Sequence, residues 1–328
     1  MIDSKKLVKI LGIVNIILAV VLVYIIISPV IRAKKVQYVK IYYVKNLGSL
    51  PIFVAKEKGI FDKYRLKVEF VEVKEASFDS LFKSKADVIA GVPWHSVVAK
   101  NLAKLEKIKI ISGCEVLESP ISALVSFDKK IKRLSDFNGK MIGYVNYSGI
   151  GEKGAREKLI LKAVLSDYGI ENAILWPKED NKSLEQDLRN KQINSVIVFS
   201  PWREKLLSSD NITFYVDTFI EKQIGMPYFY SGIYTTKFQL MLKKEAIKRF
   251  VLAMEESIDS IKKNYTLANK VASKYFGWNW DIELPTYRKW NELDKFNLMK
   301  VIDYMRKKEI SLLPVKIEEV LFKKDELR

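Results

Sequence analysis

The sequence predicts an α/β chain of two lobes preceded by a single membrane-spanning helix. Three observations carry that expectation. An apolar run opens the chain, strand and helix patterns alternate after it, and the alternation begins a second time near residue 121. At 328 residues there is room for two domains of ordinary size, and 48% hydrophobic content says they are globular.

From Ile10 to Ile27 the only strongly polar residue is Asn15. A helix of that length spans roughly 27 Å, close to the hydrocarbon thickness of a bilayer. Lys5, Lys6 and Lys9 precede the run, and Arg32, Lys34 and Lys35 follow it. The exit, Ser28-Pro29-Val30-Ile31-Arg32, has no small-x-small processing site, and no cysteine follows to accept a lipid. Residues 1–35 are therefore expected to be an uncleaved anchor. Charge on both flanks leaves orientation open, and the long tail favours an N-in topology with an exported folded part.

Val36 to Val44 reads as a first strand. Pro51 opens a helix that Gly59 can end. Leu66 to Val73 is a second strand, Phe78 to Lys83 a short helix and Asp87 to Val92 a short buried strand. His95 to Leu105 is helical and Ile108 to Ser112 extended. The pattern restarts with a strand at Ile121 to Phe127, a helical turn at Leu134 to Gly139 and a strand at Met141 to Val145. A long helix covers Glu152 to Tyr168, a capping box at Ser183-Leu184-Glu185-Gln186 opens another, and Ser195 to Phe199 is extended. Tyr228 to Thr235 is β-rich, and helices follow over Lys243 to Lys263, Leu267 to Phe276 and Thr286 to Lys308.

The net charge is +17, but basic residues are mixed with acids, as in Lys56-Glu57-Lys58 and Lys243-Lys244-Glu245. No helix-turn-helix, zinc-knuckle or RNA-binding signature accompanies them, so no nucleic-acid partner is expected. Cys114 is the only cysteine and His95 the only histidine. A disulfide framework and a multi-histidine metal site are excluded.

The run Asn46-Leu47-Gly48-Ser49-Leu50-Pro51-Ile52-Phe53-Val54-Ala55-Lys56-Glu57-Lys58-Gly59-Ile60-Phe61 resembles the opening of nitrate, sulfonate and taurine-type solute-binding proteins. That group also includes binding proteins for thiamine-precursor pyrimidines. Leu81 to Ala90, Leu134-Ser135-Asp136-Phe137-Asn138-Gly139-Lys140 and Gln192 to Trp202 resemble later steps of the same family, though Lys191 stands where it usually has Gly in a turn. The resemblance implies a periplasmic-binding-protein type II fold. Lobe 1 would be residues 36–125 plus 225–328 and lobe 2 residues 126–224, with two crossovers acting as a hinge. It implies the solute-binding component of an ABC importer, with permease and ATPase partners, no cofactor and a place on the outer side of the cell membrane.

In open α/β sheets ligands bind beyond the carboxyl ends of strands, where helix N-termini offer unpaired N–H groups. The candidates at such positions are Asn46, Leu47, Gly48 and Ser49; Pro93, Trp94 and His95; Asn146, Tyr147, Ser148 and Gly149; Trp202 and Arg203; and Tyr228 and Tyr230 near the return crossover. Trp94 and Trp202 either stack on a ligand or cover lobe cores. Arg203 either meets an anion or faces solvent. Helix starts together with aromatics suit a small anionic or planar heteroaromatic solute, a choice the sequence leaves open. Two other classes compete. Fungal relatives that make the thiamine pyrimidine carry a cysteine-rich stretch that Cys114 alone cannot supply. A ligand-sensing receptor domain is the second alternative.

Overall fold

The computed structural model describes residues 12–25, 35–73, 86–101, 107–117, 120–147, 155–280, 282–310 and 316–327. Residues 12–25 form a helix with exposed side chains. The apolar run from Ile10 to Ile27 extends past this described stretch at both ends. Among the described residues no helix is long and apolar enough to cross a membrane.

The strands in chain order are β1 (Gln37–Tyr43), β2 (Leu66–Glu72), β3 (Val88–Pro93), β4 (Ile108–Val116), β5 (Ser122–Ser126) and β6 (Met141–Val145), then β7 (Ile174–Lys178), β8 (Ser195–Phe199), β9 (Phe214–Asp217), β10 (Tyr228–Thr236) and β11 (Thr286–Lys289). They form two sheets, ordered β11-β4-β10-β3-β1-β2 and β7-β6-β8-β5-β9. In the first, β1 runs parallel to β2 and β3, while β10 returns antiparallel between β3 and β4. In the second, β6 is parallel to β7 and β8, and β5 is antiparallel to β8 and β9. Strands β3, β4, β5 and β8 are buried at every residue, as strands covered on both faces of a sheet are.

The helix Lys244–Lys263 explains much of the first core. Ala246, Ile247, Phe250, Val251, Met254, Ile258 and Ile261 fall at three- and four-residue spacing and form one buried stripe. It packs on the helix Leu50–Glu57, and Phe61 stacks on Phe250 with centroids 6.0 Å apart. The helices Trp94–Asn101 and Lys295–Lys307 pack on each other and on β10.

Several sequence expectations need correction. Residue 125 was expected to close the first lobe's opening segment, yet β5 is hydrogen-bonded into the second sheet, opposite β8 and β9. The first connection between sheets therefore precedes Ser122. Thr286 to Lys289 was expected to be helical but forms edge strand β11, antiparallel to β4. Pro285 disfavours helix in the residue before it, and Tyr287 is buried with its hydroxyl donating to the Leu47 carbonyl at 2.9 Å. The helix begins only at Lys295, capped by Asp294. Likewise the Ser183 capping box lies inside a helix that starts at Asn181, where the Asp180 carboxylate accepts from the Ser183 N–H at 2.7 Å. Strands β7 and β9 were not foreseen. The helix expected over Phe78 to Lys83 lies outside the described residues. Lys191, in the turn where Gly was expected, has φ +60°, a conformation glycine adopts without strain.

Candidate ligand-binding cleft

The carboxyl end of β3 in the first sheet faces that of β8 in the second, where His95 stacks on Phe199. Asn46, just past β1, is extended and caps the short helix Leu47–Ser49. Its Oδ1 accepts from the Gly48 N–H at 2.8 Å, and its Nδ2 donates to the Tyr230 hydroxyl at 2.7 Å. The Ser49 hydroxyl closes the same turn by donating to the Val44 and Asn46 carbonyls, each at 2.8 Å. Position 48 requires glycine, because a Cβ there would lie 2.2 Å from the Ser231 hydroxyl oxygen. That close approach brings the loop against β10 and delivers Asn46 to Tyr230.

Past β3, His95 is buried and crosses to the second sheet. Its ring lies at 5.4 Å and 20° to Phe199, the last residue of β8, and Phe199 lies at 5.6 Å and 28° to Tyr230. Tyr228 adds a fourth ring, edge-on to Tyr230 at 6.5 Å. Two polar contacts cross the same gap: His95 Nε2 is 3.3 Å from Glu157 Oε1, and the Ser96 hydroxyl donates to that oxygen at 3.0 Å. Glu157 is itself buried. Desolvation, followed by the charge of Glu157, pushes the nearby Tyr144 phenol up. Two buried atoms in this cluster, His95 Nδ1 and the Tyr228 hydroxyl, have no hydrogen-bond partner among the described residues. A buried polar atom without a partner costs free energy, and a ligand can supply one.

Four cations described near these strand ends are already engaged. Arg203 holds Asp217 through two nitrogens, at 2.6 and 2.5 Å. Arg288 pairs with Glu115 at 2.9 Å, Lys178 with Asp187 at 2.5 Å and Lys45 with Glu72 at 3.1 Å. The expectation that Arg203 is available to an anion, or simply faces solvent, is thus replaced by a near-buried bidentate ion pair.

The other expected positions sort by contact. Leu47, Gly48, Ser49, Pro93, Asn146 and Tyr147 are buried around the cleft. Ser148 and Gly149 lie outside the described residues. Trp94 is wholly buried in the first core, edge-on to Phe229 at 5.8 Å, with its indole N–H donating to the Leu298 carbonyl at 2.9 Å. Trp202 lies 6.1 Å from Trp280, with the Lys205 ammonium 4.3 Å from its ring centre. Cys114 is buried, and desolvation raises its thiol well above the ordinary range, so it offers no ready thiolate. Residues not foreseen are Phe199 and Glu157, while Ser96 ends the candidate segment that begins at Gly91. Phe199 ends an apolar strand just before Ser200-Pro201, a position that could have signalled it; Glu157 is one of several charges on its helix and carries no local signal.

A family model described as NMT1/THI5 like matches residues 46–266. The chain belongs to the NMT1/THI5-like family. A Haemophilus influenzae protein named for thiamine biosynthesis is 26% identical over 170 residues, 52% of this chain and 51% of that protein. The match thus spans about half the length of that curated relative. Among solved structures, the alkanesulfonate-binding protein SsuA from Xanthomonas axonopodis pv. citri, bound to MOPS, aligns with a TM-score of 0.63 at 13% identity, covering 88% of this chain and 97% of that one. The Candida albicans CA3427 product, described as having the generic periplasmic binding protein fold, gives 0.63 at 17% identity over 86% and 93%. The desulfurization enzyme DSZB gives 0.61 at 11% over 89% and 97%. The NMT1/THI5-like chain therefore has the two-sheet periplasmic-binding-protein fold, a scaffold shared by binders and at least one enzyme.

Proposed function

We propose that this NMT1/THI5-like chain is the extracytoplasmic solute-binding component of an ABC-type importer, tethered by its N-terminal helix. Its solute is a planar nitrogen heteroaromatic of the thiamine-precursor pyrimidine class. The observation that carries this reading is the row of rings His95, Phe199, Tyr230 and Tyr228, with unpartnered polar atoms at His95 and Tyr228. Offset stacking between aromatic rings is worth about 0.5–1.5 kcal/mol beyond area burial. Ring nitrogens and an exocyclic amine can satisfy the two orphaned atoms. Among the described residues a sulfonate or nitrate is disfavoured, because Glu157 lies in the cluster and the neighbouring described cations are held by carboxylates. The family match and the thiamine-biosynthesis name of the Haemophilus relative support the same solute class.

Binding without turnover is part of the proposal. Titrating the purified chain with an aminopyrimidine thiamine precursor, while following it by mass spectrometry, tests both halves. Saturable binding with the compound recovered unchanged is expected. Chemical conversion of the compound would move the chain to the enzyme class, and no binding would refute the solute assignment.

A further inference from the structure

The face opposite the cleft carries an apolar patch that the binding function does not use. Lys35 sits at the base of β1, where its carbonyl accepts from Arg249 Nη1 at 2.8 Å. The amino end of β1 is therefore where the chain from residues 12–25 enters the folded part. Because β10 runs antiparallel to β3, its carboxyl end reaches this same edge. There the helix Lys237–Leu242 exposes Phe238, Met241 and Leu242 at 60%, 72% and 61%. The following Lys243 donates to Asp87 Oδ2 at 2.7 Å, and Asp87 also accepts from the Lys40 N–H at 2.8 Å, which latches the helix beside β1. On β1 itself Tyr38 is 64% exposed, with the Lys67 ammonium 5.8 Å from its ring centre.

We infer that this edge is a membrane-docking face that takes a bilayer surface bearing anionic headgroups. Large apolar side chains beside the exposed Lys67 and Lys244 are the composition of an interfacial surface: the rings and thioether enter the headgroup boundary while these two ammonium groups reach lipid phosphates. The occupant follows from chain length. Ten residues separate 25 from 35, a reach of at most about 35 Å even when extended. The inference rests on the tethering reading for that proximity. If the apolar helix of residues 12–25 occupies a bilayer, the base of β1 can touch its surface. Docked in this way, the chain holds its cleft at the far end of the sheet, open to solution for capture.

The test uses full-length protein reconstituted into vesicles, with a polarity-sensitive fluorophore attached at Met241→Cys and, as control, at Tyr215→Cys on β9. Cys114 is buried and is left unlabelled. In vesicles containing phosphatidylglycerol, emission from position 241 should shift to the blue and resist aqueous iodide. Position 215 should behave as in buffer, and Phe238→Asp with Leu242→Asp should return position 241 to water. Equal quenching at 241 and 215 in anionic vesicles overturns the inference, as does protection at 241 that requires a permease protein. Alkaline extraction reports the tether separately. If it strips the protein from the vesicles, tethering fails while emission at 241 with added vesicles still decides the docking face.

Discussion

Glu204 is a carboxylate kept against its solvation preference. It lies one turn past β8, where the Ser200 hydroxyl donates to Oε1 at 2.5 Å and Arg203 pairs with it at 3.2 Å, while Oε2 has no partner among the described residues. Burial, the largest cause, pushes its pKa above the ordinary glutamate value. The folded state therefore holds this proton more tightly than the unfolded one. Its contribution to stability is fully present below the unfolded pKa, about 4.3, and is lost as pH rises through the folded value. Glu204→Gln should flatten that fall, as read from denaturant melts across pH. An unchanged slope would show that Glu204 ionises freely. Phe199 makes the second residue-scale prediction. Phe199→Leu keeps most of the volume but removes the π face between His95 and Tyr230, and should weaken aminopyrimidine binding several-fold in calorimetry, roughly 1 kcal/mol. Undiminished affinity would remove the ring row from the site. Asn46, His95, Tyr228 and Tyr230 were legible from sequence because each sits next to a strand end bearing Gly, Pro or another aromatic. Glu157 was not, since its partners are 61 and 62 residues away and nothing local marks it.

Long periodic or wholly apolar elements were the readable ones. The helix Lys244–Lys263 and strands β3 and β8 follow directly from side-chain spacing and burial. The elements missed or misassigned are short and owe their form to a neighbour. β11 has four residues and exists because β4 offers an edge; β9 depends on β5 in the same way. Strand β5 was recognised as opening the second run of elements, but the lobe boundary at residue 125 cut through it, because pairing is a tertiary choice that an apolar run does not encode. Trp94 shows how an element can reassign a residue. Its indole ties the helix Trp94–Asn101 to the carbonyl of Leu298 on the helix Lys295–Lys307, so its work is structural. Trp94→Phe should cost about 1 kcal/mol of stability, since it removes a buried hydrogen bond between the two helices, while leaving affinity for the solute unchanged. A loss of affinity without loss of stability would return Trp94 to the binding surface.

At the scale of the whole molecule the two sheets are drawn together around the cleft. Besides the His95 and Ser96 contacts to Glu157, the Tyr304 hydroxyl donates to Asp167 at 2.8 Å, Lys308 pairs with the same carboxylate, and the Trp280 indole donates to the Pro201 carbonyl at 2.8 Å. Behind the cleft, buried Glu221 accepts from the Ile121 and Ser122 N–H groups at 2.7 and 2.8 Å. It thereby clasps the segment entering the second sheet to the one leaving it, the position a hinge would occupy. On the proposed reading, a ligand would sit between rings from both sheets, and the charges around them would choose its character. The most direct test is calorimetric titration of one preparation, at fixed pH and ionic strength, with an aminopyrimidine thiamine precursor and separately with taurine, an alkanesulfonate and nitrate. The account predicts saturable binding of the pyrimidine and none of the anions at the same concentrations. Tight binding of an anion with no response to the pyrimidine would contradict it.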